Sequence, residues 1–129
     1  MASERILLKT VRQAVEAINA LGSSNSEIMG ARAVHINVLV RQVPGFSALV
    51  LKRAYNEVGA EAAVSHDAYY GIEGAITDMI VMGSLYQHRE VRRILADNPV
   101  VKTLIAELEA VVETAPETLD DGKQTLTDL

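Results

Sequence analysis

The chain has 129 residues, 49% of them hydrophobic, with no cysteine and a formal net charge of −5. That is enough chain for one domain with its own core, and the absence of cysteine excludes disulfides and thiolate metal centres. No apolar run approaches the roughly 20 residues that cross a bilayer, and the opening MASERILLKTVRQ interleaves charge with apolar residues, unlike a signal peptide, so the sequence predicts a soluble protein.

The residue pattern reads as helical almost throughout. In SERILLKTVRQAVEAINALG, residues Leu7, Val11, Ala14, Val15, Ile18 and Leu21 share one face, while Arg5, Lys9, Arg12 and Glu16 fall opposite. Ser3 is the expected N-cap and Gly22 the stop, giving a basic amphipathic helix over residues 1–22. After the loop SSNS, a second helix is expected from Glu27 to Gln42, apolar on nearly all sides and so buried or wedged between subunits, with Arg32 and Arg41 as its only positive charges. VPGF reads as a turn, followed by a third helix from Ser47 to Val58 that ends at Gly59. Residues 60–97 read as a long helical region with a seam of Ile72, Ile76, Met79, Gly83 and Tyr86. Its interior glycines point to a closely packed helix neighbour. Asn98-Pro99 is the expected start of a last helix, PVVKTLIAELEAVVE, stopped by Pro116. The expectation is an all-α, single-domain bundle of about five helices. It divides into an N-terminal basic arm (1–22), the bundle (26–113) and an acidic tail (114–129) that an assembly contact holds in place.

Charge is unevenly spread. Residues 1–53 carry seven basic and three acidic side chains, a net +4, and residues 54–129 carry five basic and fourteen acidic, a net −9. That polarity fits a cationic face for nucleic acid, head-to-tail association, or ordinary solvated charge. Five aromatic residues (Phe46, Tyr55, Tyr69, Tyr70 and Tyr86) are too few for a single-strand stacking surface. His35, His66 and His88 lie in separate settings, with His35 expected in the core. No Glu-x-x-His pair, phosphate-cradling glycine loop, G-x-S-x-G or Cys/His dyad is present. His66-Asp67 lacks the further His and Asp partners that a phosphohydrolase needs, and nothing singles out Glu73 or Asp78 as acid and base. The reading is therefore not an enzyme, with no cofactor and no metal.

Three stretches, LKRAYNEVG (51–59), AITDMI (75–80) and DNPVVKTLIAELEAVV (97–112), resemble segments of the major coat proteins of rod-shaped and filamentous archaeal viruses with linear double-stranded DNA. The resemblance implies a helical coat subunit of the virion, assembled in the host cytoplasm. Such subunits pair as homo- or heterodimers and stack around A-form duplex DNA through N-terminal helical segments. It leaves a membrane envelope open. On that reading Arg5, Lys9, Arg12, Arg32, Arg41, Lys52 and Arg53 form the DNA-facing set. Each would neutralise phosphate without reading bases, since a coat must accept any sequence.

Two other readings use the same residues. A small helical non-catalytic subunit of a CRISPR effector complex would share the basic patch. A protein-interaction module would bind a basic partner through its acidic half and need no nucleic acid.

Overall fold

The computed structural model describes residues 1–114. The tail expected over 114–129, Pro116 included, lies outside the described residues from 115 onward. In chain order the elements are α1 (Val11–Ala20), α2 (Ser26–Ala33), β1 (His35–Pro44), α3 (Gly45–Glu57), β2 (Glu61–Ala63), α4 (His66–Tyr69), β3 (Ile76–Ser84), α5 (Leu85–Ile94) and α6 (Lys102–Val112). The all-α expectation is thus overturned: the described residues form a mixed α/β fold with a three-stranded antiparallel sheet in the order β1-β3-β2.

The differences have local causes. The first helix begins at Val11, not at Ser3, because Thr10 Oγ1 accepts the Gln13 N–H at 3.0 Å and Gln13 Oε1 accepts the Lys9 N–H at 2.9 Å. Residues 1–9 carry no helix, so the basic stripe is not a continuous helical face. Gly22, at φ 77°, ends α1 as expected. The helix expected over 27–42 breaks at Val34. Beyond it Ile36, Val38, Val40 and Val43 turn toward the helices, and His35, Asn37, Leu39 and Arg41 turn away. β-Branched residues at period two suit a half-buried strand. The third helix forms close to its expected bounds. Pro44 is not in a turn but is the last residue of β1, and the chain passes directly into α3. Gly71 and Gly74 sit at φ 70° and 77° in the connection before β3, so they serve a turn and not a helix–helix contact. Gly83 does make a close approach, since a Cβ there would lie 3.1 Å from both Ala60 Cβ and Gln87 Oε1. Asn98 Oδ1 accepts the Val100 N–H at 3.0 Å, closing a short Asx turn, and the helix starts three residues later than Pro99.

β3 is central and antiparallel to both neighbours, so β1 and β2 run parallel and α3 is the crossover between them. This is a split β-α-β arrangement. The buried side of the sheet (Val38, Val43, Ala62, Met79 and Val81) packs on Ala48, Leu51, Ala54 and Tyr55 of α3, Leu85 and Val91 of α5, and Leu108 and Val112 of α6. α1 and α2 pack on one another, and α2 meets both α5 and β3. There Arg32 lies 4.2 Å from the centre of the Tyr86 ring.

A β-bulge sets the phase of β1. The register steps between Val40, opposite Met79, and Val43, opposite Thr77, leaving Arg41 and Gln42 across from Asp78. Without the extra residue Gln42 would face the core where Val43 now does. Gln42 takes φ 57°, and its N–H is held at 2.9 Å by Asp78 Oδ1. Asp78→Ala is expected to cost about 1 kcal/mol by leaving that amide without its acceptor. Gln42→Gly is expected to stabilise by less than about 1 kcal/mol, because relief of the left-handed backbone is offset by glycine's entropy. Urea midpoints of the two variants check both signs.

Candidate assembly surface and its flanking groove

Among the described residues, α3, α5 and α6 pack on the buried side of the sheet. On the other side Leu39 of β1 sits directly opposite Ile80 of β3, and Asn37 sits opposite Met82. Leu39, Ile80 and Met82 are only half-buried, and Ile76 at the start of β3 is 62% exposed. Around this apolar stripe stand His35, Asn37 and Arg41 on β1, Asp78 on β3 and Glu61 on β2, all exposed. An apolar centre with a polar rim is the usual anatomy of a protein interface.

The two edges of the sheet differ. At β2, Lys52 Nζ donates to Ala62 O at 2.6 Å and to Glu61 Oε1 at 2.9 Å, which places a charge on a three-residue strand. Such short, lysine-bearing edges discourage further strand pairing. At β1, the Leu85 N–H donates to Val34 O at 3.0 Å, which makes Val34 and Leu85 a hydrogen-bonded pair in the β1/β3 register. By the alternation of an antiparallel ladder, Val34, Ile36, Val38 and Val40 turn their backbone groups toward β3. His35, Asn37 and Leu39 turn theirs outward. No described element pairs with that outer edge.

Beside this edge runs an open groove of about 950 Å³, between the start of α1 (Lys9 to Gln13), the start of β1 (His35 to Asn37) and the end of α6 (Val111 to Thr114). Glu113 anchors one wall. Its carboxylate accepts from Arg89 at 2.8 and 3.0 Å and from Arg92 at 2.7 Å. The bonds from Arg89, with that from Arg92, pull its pKa from 4.5 down to about 2. Because the folded value lies below the unfolded one, this group's contribution is complete above pH 4.5 and is lost as the pH falls toward 2. Glu113→Gln is expected to cost about 1–2 kcal/mol at neutral pH. The gap between the wild-type and variant urea midpoints should close as the pH is lowered from 4.5 toward 2.

The seven basic residues read from the sequence are not gathered on one face. Arg5 and Lys9 are exposed ahead of α1, and Arg12 is exposed and pairs with Glu16 at 3.3 Å. Arg32 stacks on Tyr86, and Arg41 lies on the outer side of β1. Lys52 is spent on the β2 edge, and Arg53 lines a smaller cleft of about 330 Å³ between α3 and α5 with Phe46 and Ile94. Only Lys9 and Arg12 of the seven share the groove. His35 is exposed and bonds Asn37 Oδ1 at 2.8 Å, contrary to its expected burial. The core histidine is instead His88, in contact with Tyr55 and Ile36 O. His66 meets Asp67 at 3.2 Å on the surface, beside the Tyr70 ring. Among the described residues no cluster of three or more His, Cys, Asp or Glu is placed to hold a metal, and no helix is long and apolar enough to cross a membrane.

The bare sheet face escaped sequence reading because it depends on β3 being a strand. Its signal was present: Gly71 and Gly74 punctuate the chain just before a run that can pair with the alternating INVLV. Of the three stretches that carried the coat-protein resemblance, 51–59 falls largely on α3 and 97–112 spans the α5–α6 connection and α6, but 75–80 lies mainly in β3. Compared with protein families, curated proteins and solved structures, the chain matches none.

Proposed function

We propose that this chain is a non-catalytic structural subunit that associates with copies of itself through the bare side of its sheet. The observation that carries this is the stripe of Leu39, Ile80 and Met82, with Ile76 beside it, which no described element covers. A second copy meeting it face to face would align apolar centre on apolar centre, as an isologous contact requires. Two strands of some 30 Å and a three-residue strand of about 10 Å, spaced about 4.8 Å apart, offer a flat footprint of about 330 Å² per partner. That is below the usual size of a stable interface, so the association is weak, with a dissociation constant of micromolar or above.

Packaging of duplex DNA as a coat subunit stays a second proposal, supported by the exposed, non-helical opening that presents Arg5 and Lys9 ahead of the exposed Arg12. In this form the DNA contact resides in an arm and not in a continuous basic helix. Sedimentation velocity from 5 to roughly 500 µM, the span set by a micromolar constant, tests association. A chain that keeps the mass of one copy throughout refutes it. Nuclease protection of linear duplex DNA at low and moderate salt tests the second proposal. Protection that fades with salt and is lost on Arg5→Glu with Lys9→Glu supports it, and no protection at low salt refutes it.

A further inference from the structure

We infer that the outward edge of β1 and the groove beside it form a docking site for an extended acidic peptide of another protein, bound by strand addition. This uses a different surface from the sheet-face association proposed above and does not depend on it. Three observations carry the inference. First, the edge is open to a further strand. Its outward groups belong to His35, Asn37 and Leu39, whose N–H groups meet no acceptor among the described residues. Their N–H and C=O groups, spread over the stretch His35–Val40, offer a ladder about 17 Å long, which suits a segment of about six residues. The bulge at Arg41–Gln42 ends the site on one side. The other edge of the sheet offers no such stretch, because β2 has three residues and Lys52 bonds Ala62 O there.

Second, the ground beside the edge selects apolar side chains. A strand added to β1 alternates as β1 does, so its residues across from Ile36 and Val38 turn to the helix side. There the groove, about 950 Å³, is lined by Val11, Ile36, Leu85, Val111 and Val112. Val111 is 51% exposed, apolar surface that such a partner would cover. Apolar residues at alternate peptide positions fill this space, while the main-chain bonds supply the sequence-tolerant part of the contact.

Third, charge selects the sign of the partner. The carboxylates of the groove are already engaged, Glu16 with Arg12 and Glu113 with Arg89 and Arg92. Lys9 on the groove wall has no carboxylate partner among the described residues, and Arg5 is exposed a few residues before it. The cations left over favour Asp or Glu between the apolar residues of the peptide and disfavour a basic one.

NMR titration of the isotope-labelled full chain tests this at concentrations where the protein sediments as one copy. The probe is a capped peptide of about seven residues that alternates glutamate with valine. Expected are shifts and slowed hydrogen exchange at His35, Asn37 and Leu39, with a dissociation constant below about 1 mM. The same peptide with lysine for glutamate should bind at least about 10-fold more weakly, by a margin that narrows with salt. Asn37→Pro removes one outward donor and spares the bonds to β3, so it should weaken binding about 10-fold while Ile36 and Val38 stay protected. N-methylation of the peptide's ladder-facing amides gives the same readout on the unaltered chain. No response at the three amides overturns the inference, and so does binding that N-methylation leaves undiminished. Equal binding of the lysine peptide overturns the acidic class. Outward amides protected before any peptide is added also overturn it, since the edge then belongs to the chain itself or, where protection grows with mass, to a second copy.

Discussion

His88→Ala is expected to be the most damaging single change among the polar residues, costing about 3–5 kcal/mol. The side chain is 1% exposed and sits between two fixed partners. Its Nε2 lies 2.8 Å from Ile36 O, and because a carbonyl only accepts, Nε2 carries the proton. Nδ1 is then an acceptor and takes the Tyr55 hydroxyl proton at 2.7 Å. The ring thus ties α5 to both β1 and α3, and its removal would leave the Tyr55 hydroxyl unpaired in the interior and take one of the bonds that Ile36 O accepts. Tyr55→Phe keeps the volume but strands the Nδ1 lone pair, and should cost about 1–2 kcal/mol. Against a domain stability of about 5–15 kcal/mol, the first loss is severe and the second tolerable.

The same site gives stability a pH dependence. Burial, assisted by nearby His35 and Arg92 and opposed by the Ile36 and Gly83 carbonyls, lowers the His88 pKa below its ordinary 6.5. The unfolded chain therefore takes up this proton first. The contribution is complete above about pH 6.5 and is lost as the pH falls below it. Two acid steps follow in the wild type, one beginning near 6.5 from His88 and one below 4.5 from Glu113. His88→Ala should lose the upper step and keep the lower, as read from urea midpoints between pH 8 and roughly 3.

How legible the fold was depended on how each segment disclosed its period. The helix over Gly45–Glu57 was legible because Gly59 closes a run with one apolar face. The helix starts at Thr10 and Ser84 were equally written, as Thr-x-x-Gln and Ser-x-x-Gln, and the second forms a full capping box. They were obscured because helix was already assumed on both sides of them. The two long strands were harder. Ile76, Met79, Gly83 and Tyr86 satisfy helical spacing, while the same run is apolar on both faces, as a central strand is. Helical period alone could not separate the two. Flanking Gly71 and Gly74, and the β-branched Ile36, Val38, Val40 and Val43 available as a pairing partner, decide for the sheet. The groove was not legible at all, since it brings together residues 9–13, 34–37 and 111–114 that only the completed fold makes neighbours.

Ile80→Lys is expected to raise the self-dissociation constant about 100-fold or more, a loss of about 2.7 kcal/mol. Ile80 lies on the central strand and pairs across it with Leu39, so it occupies the middle of the apolar stripe. In an isologous contact each substitution acts twice, and the two ammonium groups would meet near the dyad in a desolvated patch. The protomer itself should lose little, because the position is not fully buried and a lysine stem still covers Leu39 while its charge reaches solvent. The discriminating measurement is sedimentation equilibrium of the wild type, Ile80→Lys and a control, Lys102→Ala, on the exposed start of α6. Association in the wild type and the control but not in Ile80→Lys, with thermal midpoints that agree closely, supports the sheet face. Equal association in all three moves the contact to another surface and refutes the proposed one, with the α3–α5 cleft around Phe46 and Ile94 the next to examine.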